Sequence, residues 1–187
     1  LAISPNGATI LAGTSTGVWR STNSGATWTL IPSFGGNIQD VDFSPTDSSK
    51  AIAARNSPGA ASYSIDGGQN WNPATFNFTI EGRVELAYAP SNPLVVYASV
   101  DTNGGDVYRS SDGGHTYFRV NTGNNLLANQ GFYDNIVWVN PQDENFVLVG
   151  GIALYRSTNG GMNFSDISSG CNPRSLHADQ HFVVAPP

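Results

Sequence analysis

Cysteine occurs once in the 187 residues, at Cys171, so no disulfide can close within the chain. Lysine also occurs once, at Lys50, and residues of either charge make up only 12%. With 8 Lys+Arg against 14 Asp+Glu the net charge is −6, which excludes a general nucleic-acid binder, because such proteins present a basic surface. Long apolar stretches are missing as well. The longest, Leu94 to Val100, is far short of the roughly 20 residues of a membrane-crossing helix, so no membrane span is expected. Sparse charge leaves the polar surface to neutral side chains. The 21 glycines, beside abundant Asn, Ser and Thr, predict a turn-rich β protein whose 39% apolar residues supply a core.

The sequence repeats, and the repeat decides the architecture. Four segments align without gaps: STNSGATW (Ser21 to Trp28), SIDGGQNW (Ser64 to Trp71), SSDGGHTY (Ser110 to Tyr117) and STNGGMNF (Ser157 to Phe164). Their spacing sets a unit of about 45 residues, within the propeller-blade range. A second series agrees: Pro5, Pro45, Pro90, Pro141 and Pro186 each follow a short apolar stretch. Within a unit the alternation has period two. In the fourth it predicts strands near Asn135 to Val139, Phe146 to Gly150, Ala153 to Ser157 and Asn163 to Ile167. Four strands per unit predict an all-β fold, a β-propeller of four-stranded antiparallel blades. The units are placed at 1–40, 41–85, 86–136 and 137–181, with the start of a fifth at 182–187. Four blades are expected to be part of a larger ring of about six to eight, completed by missing blades or by a second copy, or else to be sealed as a four-bladed ring by a swap of the strand at Phe182.

The eight-residue segment S-x-[DN]-x-G-x-x-[WFY] resembles the Asp-box of BNR-repeat propellers. Asn23, Asp66, Asp112 and Asn159 are expected to accept hydrogen bonds from backbone N–H groups of their own turns. Gly25, Gly68, Gly114 and Gly161 supply a positive φ, the serines Ser21, Ser64, Ser110 and Ser157 open the turns, and Trp28, Trp71, Tyr117 and Phe164 start the outer strand. The resemblance implies that these residues are structural and that binding sites lie on the opposite face, where the innermost strands begin.

Registering each unit on its proline places Ile38, Arg83, Asp134 and Asp179 in one column at that rim, and Asp40, Glu85, Ile136 and His181 in another. Loops are expected at Pro32 to Gln39, Thr75 to Gly82, Asn121 to Phe132 and Ser168 to Gln180. Asp40, Glu85, Asp134 and Asp179 are the candidate acid and base residues, since glycoside cleavage uses two carboxylates flanking the bond. Arg83, Tyr133, His177, His181, Phe76 and Phe78 are candidate binding residues, the aromatics as sugar-stacking surfaces. In an extended strand His177, Asp179 and His181 share one face, where they fit a divalent metal, a substrate contact, or hydrogen bonds to the loop. No other cofactor is implied. Arg20, Arg109 and Arg156 recur just before the turn serine and read as structural, which speaks against a sialidase-type arginine cluster.

QGFYDN (Gln130 to Asn135), with the later VGG-x-x-LYRSTNGG and HADQH stretches, resembles secreted bacterial BNR-repeat glycosyl hydrolase-like proteins, related to xyloglucanase and sortilin-type propellers. That resemblance implies an extracellular or cell-surface location and a polysaccharide or protein partner. Two functions follow from it: a module binding glycan or protein at the strand-A rim, or a glycoside hydrolase-like enzyme using a pair of rim carboxylates.

Overall fold

The computed structural model describes residues 1–56, 58–121, 125–168 and 178–183, in which every regular element is a strand. Four sheets follow one another along the chain. The first holds β1 (Ala2–Ile3), β2 (Ile10–Thr14), β3 (Gly17–Ser21) and β4 (Thr29–Gly35). The second holds β5 (Ile38–Phe43), β6 (Ala51–Arg55), β7 (Ala60–Ser64) and β8 (Asn72–Pro73). The chain then forms β9 (Thr75–Phe76), which pairs in parallel with the outer strand of the third sheet. That sheet is β10 (Val84–Tyr88), β11 (Val96–Val100), β12 (Asp106–Ser110) and β13 (Thr116–Arg119), and the fourth is β14 (Ile136–Asn140), β15 (Asp143–Gly150), β16 (Leu154–Ser157) and β17 (Ser165–Asp166). Each sheet is an antiparallel meander, the architecture of propeller blades.

The sheets pack face to face because their strands are apolar on both sides. All five residues of β11 are buried, as are Ala51 to Ala54 of β6, where small side chains let the neighbouring sheets approach. Three cores result, one between each successive pair. Leu11 and Val18 meet Val41, Phe43 and Trp71; Ile52, Ala54 and Ala61 meet Val84, Leu86 and Tyr117; Val95, Tyr97 and Val107 meet Val139, Val147 and Val149. The innermost strands stand side by side, β5 against β10 and β10 against β14. Unit limits counted from the prolines fall inside these strands: Ile38 to Asp40, allotted to the first unit, belong to β5 of the second sheet.

The eight-residue turns are near-identical. In each, the serine hydroxyl donates to the Asx Oδ1 (3.0, 2.8, 2.7 and 2.9 Å) and accepts from the N–H of the glycine four residues on (2.9, 2.9, 3.0 and 3.0 Å). The Asx oxygen also accepts from backbone N–H groups, Asn70 N at 2.9 Å for Asp66 and Thr116 N at 2.9 Å for Asp112. Two successive residues take positive φ, for example Gly113 at 77° and Gly114 at 92°; in the first turn Ser24 adopts this conformation at 57°.

Two expected loops contain strand. Pro32 to Gly35 continue β4, and Thr75 and Phe76 form β9. Asp179 has φ 71°, and residues 178–183 form no strand, so the extended alternation expected to align Asp179 with His181 is broken. The segment is held instead by Asp179 N to Ile152 O (3.2 Å) and Gln180 N to Gly151 O (2.8 Å). Cys171, His177 and residues 184–187 of the expected fifth strand lie outside the described residues.

Candidate functional site

Where β5, β10 and β14 begin, the fold gathers charged side chains from three sheets. A bulge in β5 makes this possible: Ile38 pairs with Arg55 and Asp40 with Ala54, so Gln39 is an extra residue. The bulge precedes Asp40, whose Oδ2 accepts the N–H of Leu86 in the neighbouring inner strand at 2.8 Å. Glu85 stands next to that contact. Its Oε1 accepts from Arg83 Nε at 2.7 Å, and Arg83 Nη1 donates to the carbonyl of Tyr133 at 2.6 Å, tying the third sheet to the approach of the fourth.

On the far side, Asp134 is fully buried just ahead of β14. Its Oδ1 lies 3.2 Å from His181 Nε2, and Asp179 is its acidic neighbour. Tyr133 meets His181 edge-on, ring centroids 4.9 Å apart. The position of residues 178–183 depends on a glycine, because a Cβ on Gly150 would come within 2.8 Å of the Gln180 Cβ. Asp40, Arg83, Glu85, Ile136, Trp138, His181 and Phe182 line a shallow cavity of about 190 Å³.

Burial governs the electrostatics. Asp40 is pushed above the usual carboxylate range by loss of water, against its bond from Leu86 N. Desolvation and then the charge of Asp40 raise Asp42 to about 7 and Glu85 to about 8, the latter in spite of Arg83. Asp134 is raised by burial and by Asp179, with His181 opposing. The rim therefore holds protons near neutral pH. Asp42, two residues further along β5, shares the face of Asp40 but stands at the other end of the strand, beside Pro45, Tyr88 and Pro90.

Of the candidates named from sequence, Asp40, Arg83, Glu85, Tyr133, Asp134, Asp179 and His181 gather along this rim. Phe76 and Phe78 do not. Phe76 lies in β9 on the outer edge of the third sheet, stacked on Tyr117 (4.6 Å) and edge-on to Tyr108 (5.1 Å), and Phe78 lies under the guanidinium of Arg119 at 4.1 Å. Both are drawn there by the β9–β13 pairing, which carries them away from the inner strands. His177 lies outside the described residues, and among those described no group of three or more His, Cys, Asp or Glu is placed to hold a metal ion. The rim exposes Asp179 as well as the rings of Tyr133 and Phe182, beside a half-exposed His181, and Phe132 next to Tyr133 in the chain is exposed too. No described helix is long and apolar enough to cross a membrane.

No family model and no curated protein matches the sequence. Solved structures match in fold. An ancestral GH74 enzyme aligns with a TM-score of 0.73 at 21% identity, over 95% of this chain and 26% of that one. The GH74 enzyme of Niastella koreensis aligns with a TM-score of 0.64 at 21% identity, over 88% of this chain and 23% of that one. YCF48 from Cyanidioschyzon merolae aligns at 0.53 and 17% identity, over 83% and 54%. At these identities the likeness establishes the fold, a β-propeller segment. The chain spans about a quarter of the length of the GH74 chains and about half of the YCF48 chain.

Proposed function

We propose that this chain is an Asp-box propeller module, acting outside the cell, that binds a glycan or protein segment at the rim where the inner strands begin. One observation carries the reading. Three of the rim carboxylates are already engaged by the protein, and aromatic side chains are offered to solvent beside them. Asp40 holds Leu86 N, Glu85 holds Arg83, and Asp134 is buried against His181. Phe132, Tyr133 and Phe182 are 64%, 58% and 79% exposed; Phe182 lines the shallow cavity and Tyr133 packs edge-on against His181, which also lines it, and flat exposed rings there suit stacking on a sugar or a side chain. The extracellular setting rests on the resemblance of the turns and of the QGFYDN and HADQH stretches to secreted propellers.

A second reading, a glycoside hydrolase-like enzyme, is favoured by Glu85 alone. Raised to about 8, it keeps its proton at neutral pH as a general acid must.

A panel of polysaccharides, oligosaccharides and extended peptides, assayed for binding and for release of reducing ends, separates the two. Binding without release is expected. Tyr133→Ala should weaken binding about tenfold, equivalent to about 1.4 kcal/mol. Release of reducing ends that is lost in both Asp40→Asn and Glu85→Gln would overturn the binding reading in favour of catalysis.

A further inference from the structure

Arg20 and Arg109 hold equivalent places in the first and third sheets. Each immediately precedes a turn serine, and each pairs with a fully buried residue of the second strand, Leu11 or Tyr97. The turn of the following sheet is held beside each arginine by one backbone bond, Gly67 N to Ser49 O (2.7 Å) in the first case and Gly160 N to Asn145 O (3.0 Å) in the other. These bonds make Ser49 the counterpart of Asn145, and so put Ser48 where Glu144 stands. Glu144 neutralises Arg109, accepting from its Nη2 at 2.9 Å. Ser48 has no charge to do the same for Arg20. Arg20 Nε donates to the carbonyl of Gly67 at 2.8 Å, but among the described residues its two Nη groups have no acceptor and no ion pair includes it.

The half-buried Arg20 lines a cavity of about 360 Å³ between the outer strands of the first sheet and the turn of the second, a volume within the range of small-ligand sites. No carboxylate lines it. One wall carries Thr22, Thr27 and Thr29; Thr29 pairs directly with Arg20 across β3 and β4, so the two share a face. The hydroxyls of Thr22 and Thr29 are unengaged, and Thr27 Oγ1 accepts from Asn23 Nδ2 at 2.8 Å, which leaves its proton to donate. Gln69 and Asn70 form the facing wall. Gln69 Nε2 spends one N–H on Asp66 O at 2.9 Å and Asn70 Nδ2 spends one on Asp66 Oδ2 at 2.7 Å, and each keeps a second. Ile31 is the single apolar side chain of the lining.

We propose that this cavity binds a uronic acid unit of an acidic glycan. The Nη groups of Arg20 take the carboxylate in their fork, and the threonine hydroxyls and the amides of Gln69 and Asn70 take the ring hydroxyls. An aspartate or glutamate of a bound peptide would fill only the first role; its methylenes would meet Ile31 alone, and the polar walls would go unmatched. In a chain of net charge −6 the attraction is local, one guanidinium without a carboxylate, which suits a single uronate rather than a densely charged polymer. The site lies among outer strands, apart from the rim where the inner strands begin, and does not depend on it.

Titration of methyl glucuronide into the intact chain, followed by NMR, tests this beside methyl glucoside, which carries a hydroxymethyl group in place of the carboxylate, and beside inorganic sulfate. The glucuronide should bind about tenfold or more tightly than the glucoside, and Arg20→Gln should abolish that difference. Arg20→Lys should restore part of it, keeping the charge without the fork. Thr29→Val changes an exposed side chain that makes no hydrogen bond in the fold, so the variant should stay folded, and it should weaken glucuronide binding. Glucuronide that binds no better than glucoside overturns the proposal, as does binding that survives both Arg20→Gln and Thr29→Val. Sulfate that competes as well as the glucuronide shows an anion site without a sugar site and overturns it too. Glucuronide binding lost in Tyr133→Ala and kept in Arg20→Gln belongs to the rim, which sinks this site and leaves the rim reading standing.

Discussion

The turn serines do more at the scale of single residues than their place as opening letters suggests. Each hydroxyl donates to the Asx oxygen and accepts from a glycine N–H at once, within a turn whose serine is at most 2% exposed. Ser64→Ala removes both bonds and leaves the Gly68 N–H buried without a partner, so it should cost about 1–3 kcal/mol in a urea titration. Two carboxylates of the inner strands set a second residue-level property. Asp42 and Glu85 have folded-state values of about 7 and 8, above their ordinary ones, so the folded protein binds more protons than the unfolded chain between about pH 4 and 8. Their ionisation therefore opposes folding as pH rises through that window. The urea midpoint should fall from pH 5 to pH 8.5, and Glu85→Gln should flatten the slope; a midpoint that climbs over this range contradicts the assignment.

Among the elements, what the sequence disclosed depended on whether the signal was local. The four turns and the strands around them were legible because a period of about 45 residues repeats hydrogen-bonding side chains at fixed offsets. The fourth unit illustrates it, with strands expected near 135–139 and 153–157 and found at Ile136–Asn140 and Leu154–Ser157. The rim was partly legible, because the prolines follow the inner strands and bring Asp40, Glu85 and Asp134 into register. Strand β9 was not. It has two residues, and its partner lies some 40 residues on, in a parallel pairing that leaves no alternation to read. Phe76, a candidate stacking residue on sequence grounds, is consequently part of the wall between sheets. Phe76→Ala should lower stability by about 2 kcal/mol or more and leave affinity at the rim unchanged, which a paired melting and binding measurement would show. The bulge at Gln39 escaped for the same reason, since pairing across strands defines it.

At the scale of the molecule, the three cores found among the described residues hold the second and third sheets on two faces each. Stability is then a sum over neighbouring sheets, and the two sheets with a core on each face should be the last to open. Hydrogen exchange should accordingly be slowest in β6 and β11. The small strand β9 has a different consequence, in how these molecules behave in a crowd. The outer strand of a blade offers a row of unpaired backbone groups on which a neighbouring molecule could build. This protein blunts each of its outer edges differently. β4 contains Pro32, β8 is two residues ending in Pro73, and β17 is two residues long, whereas β13 has no proline and is covered by β9. The bond from Thr75 N to His115 O, 2.9 Å long, seals that cover. Its loss in Thr75→Pro should loosen the cover over the least protected edge of the four, and fibril growth followed by a dye that binds cross-β structure should then be faster than for the unaltered chain.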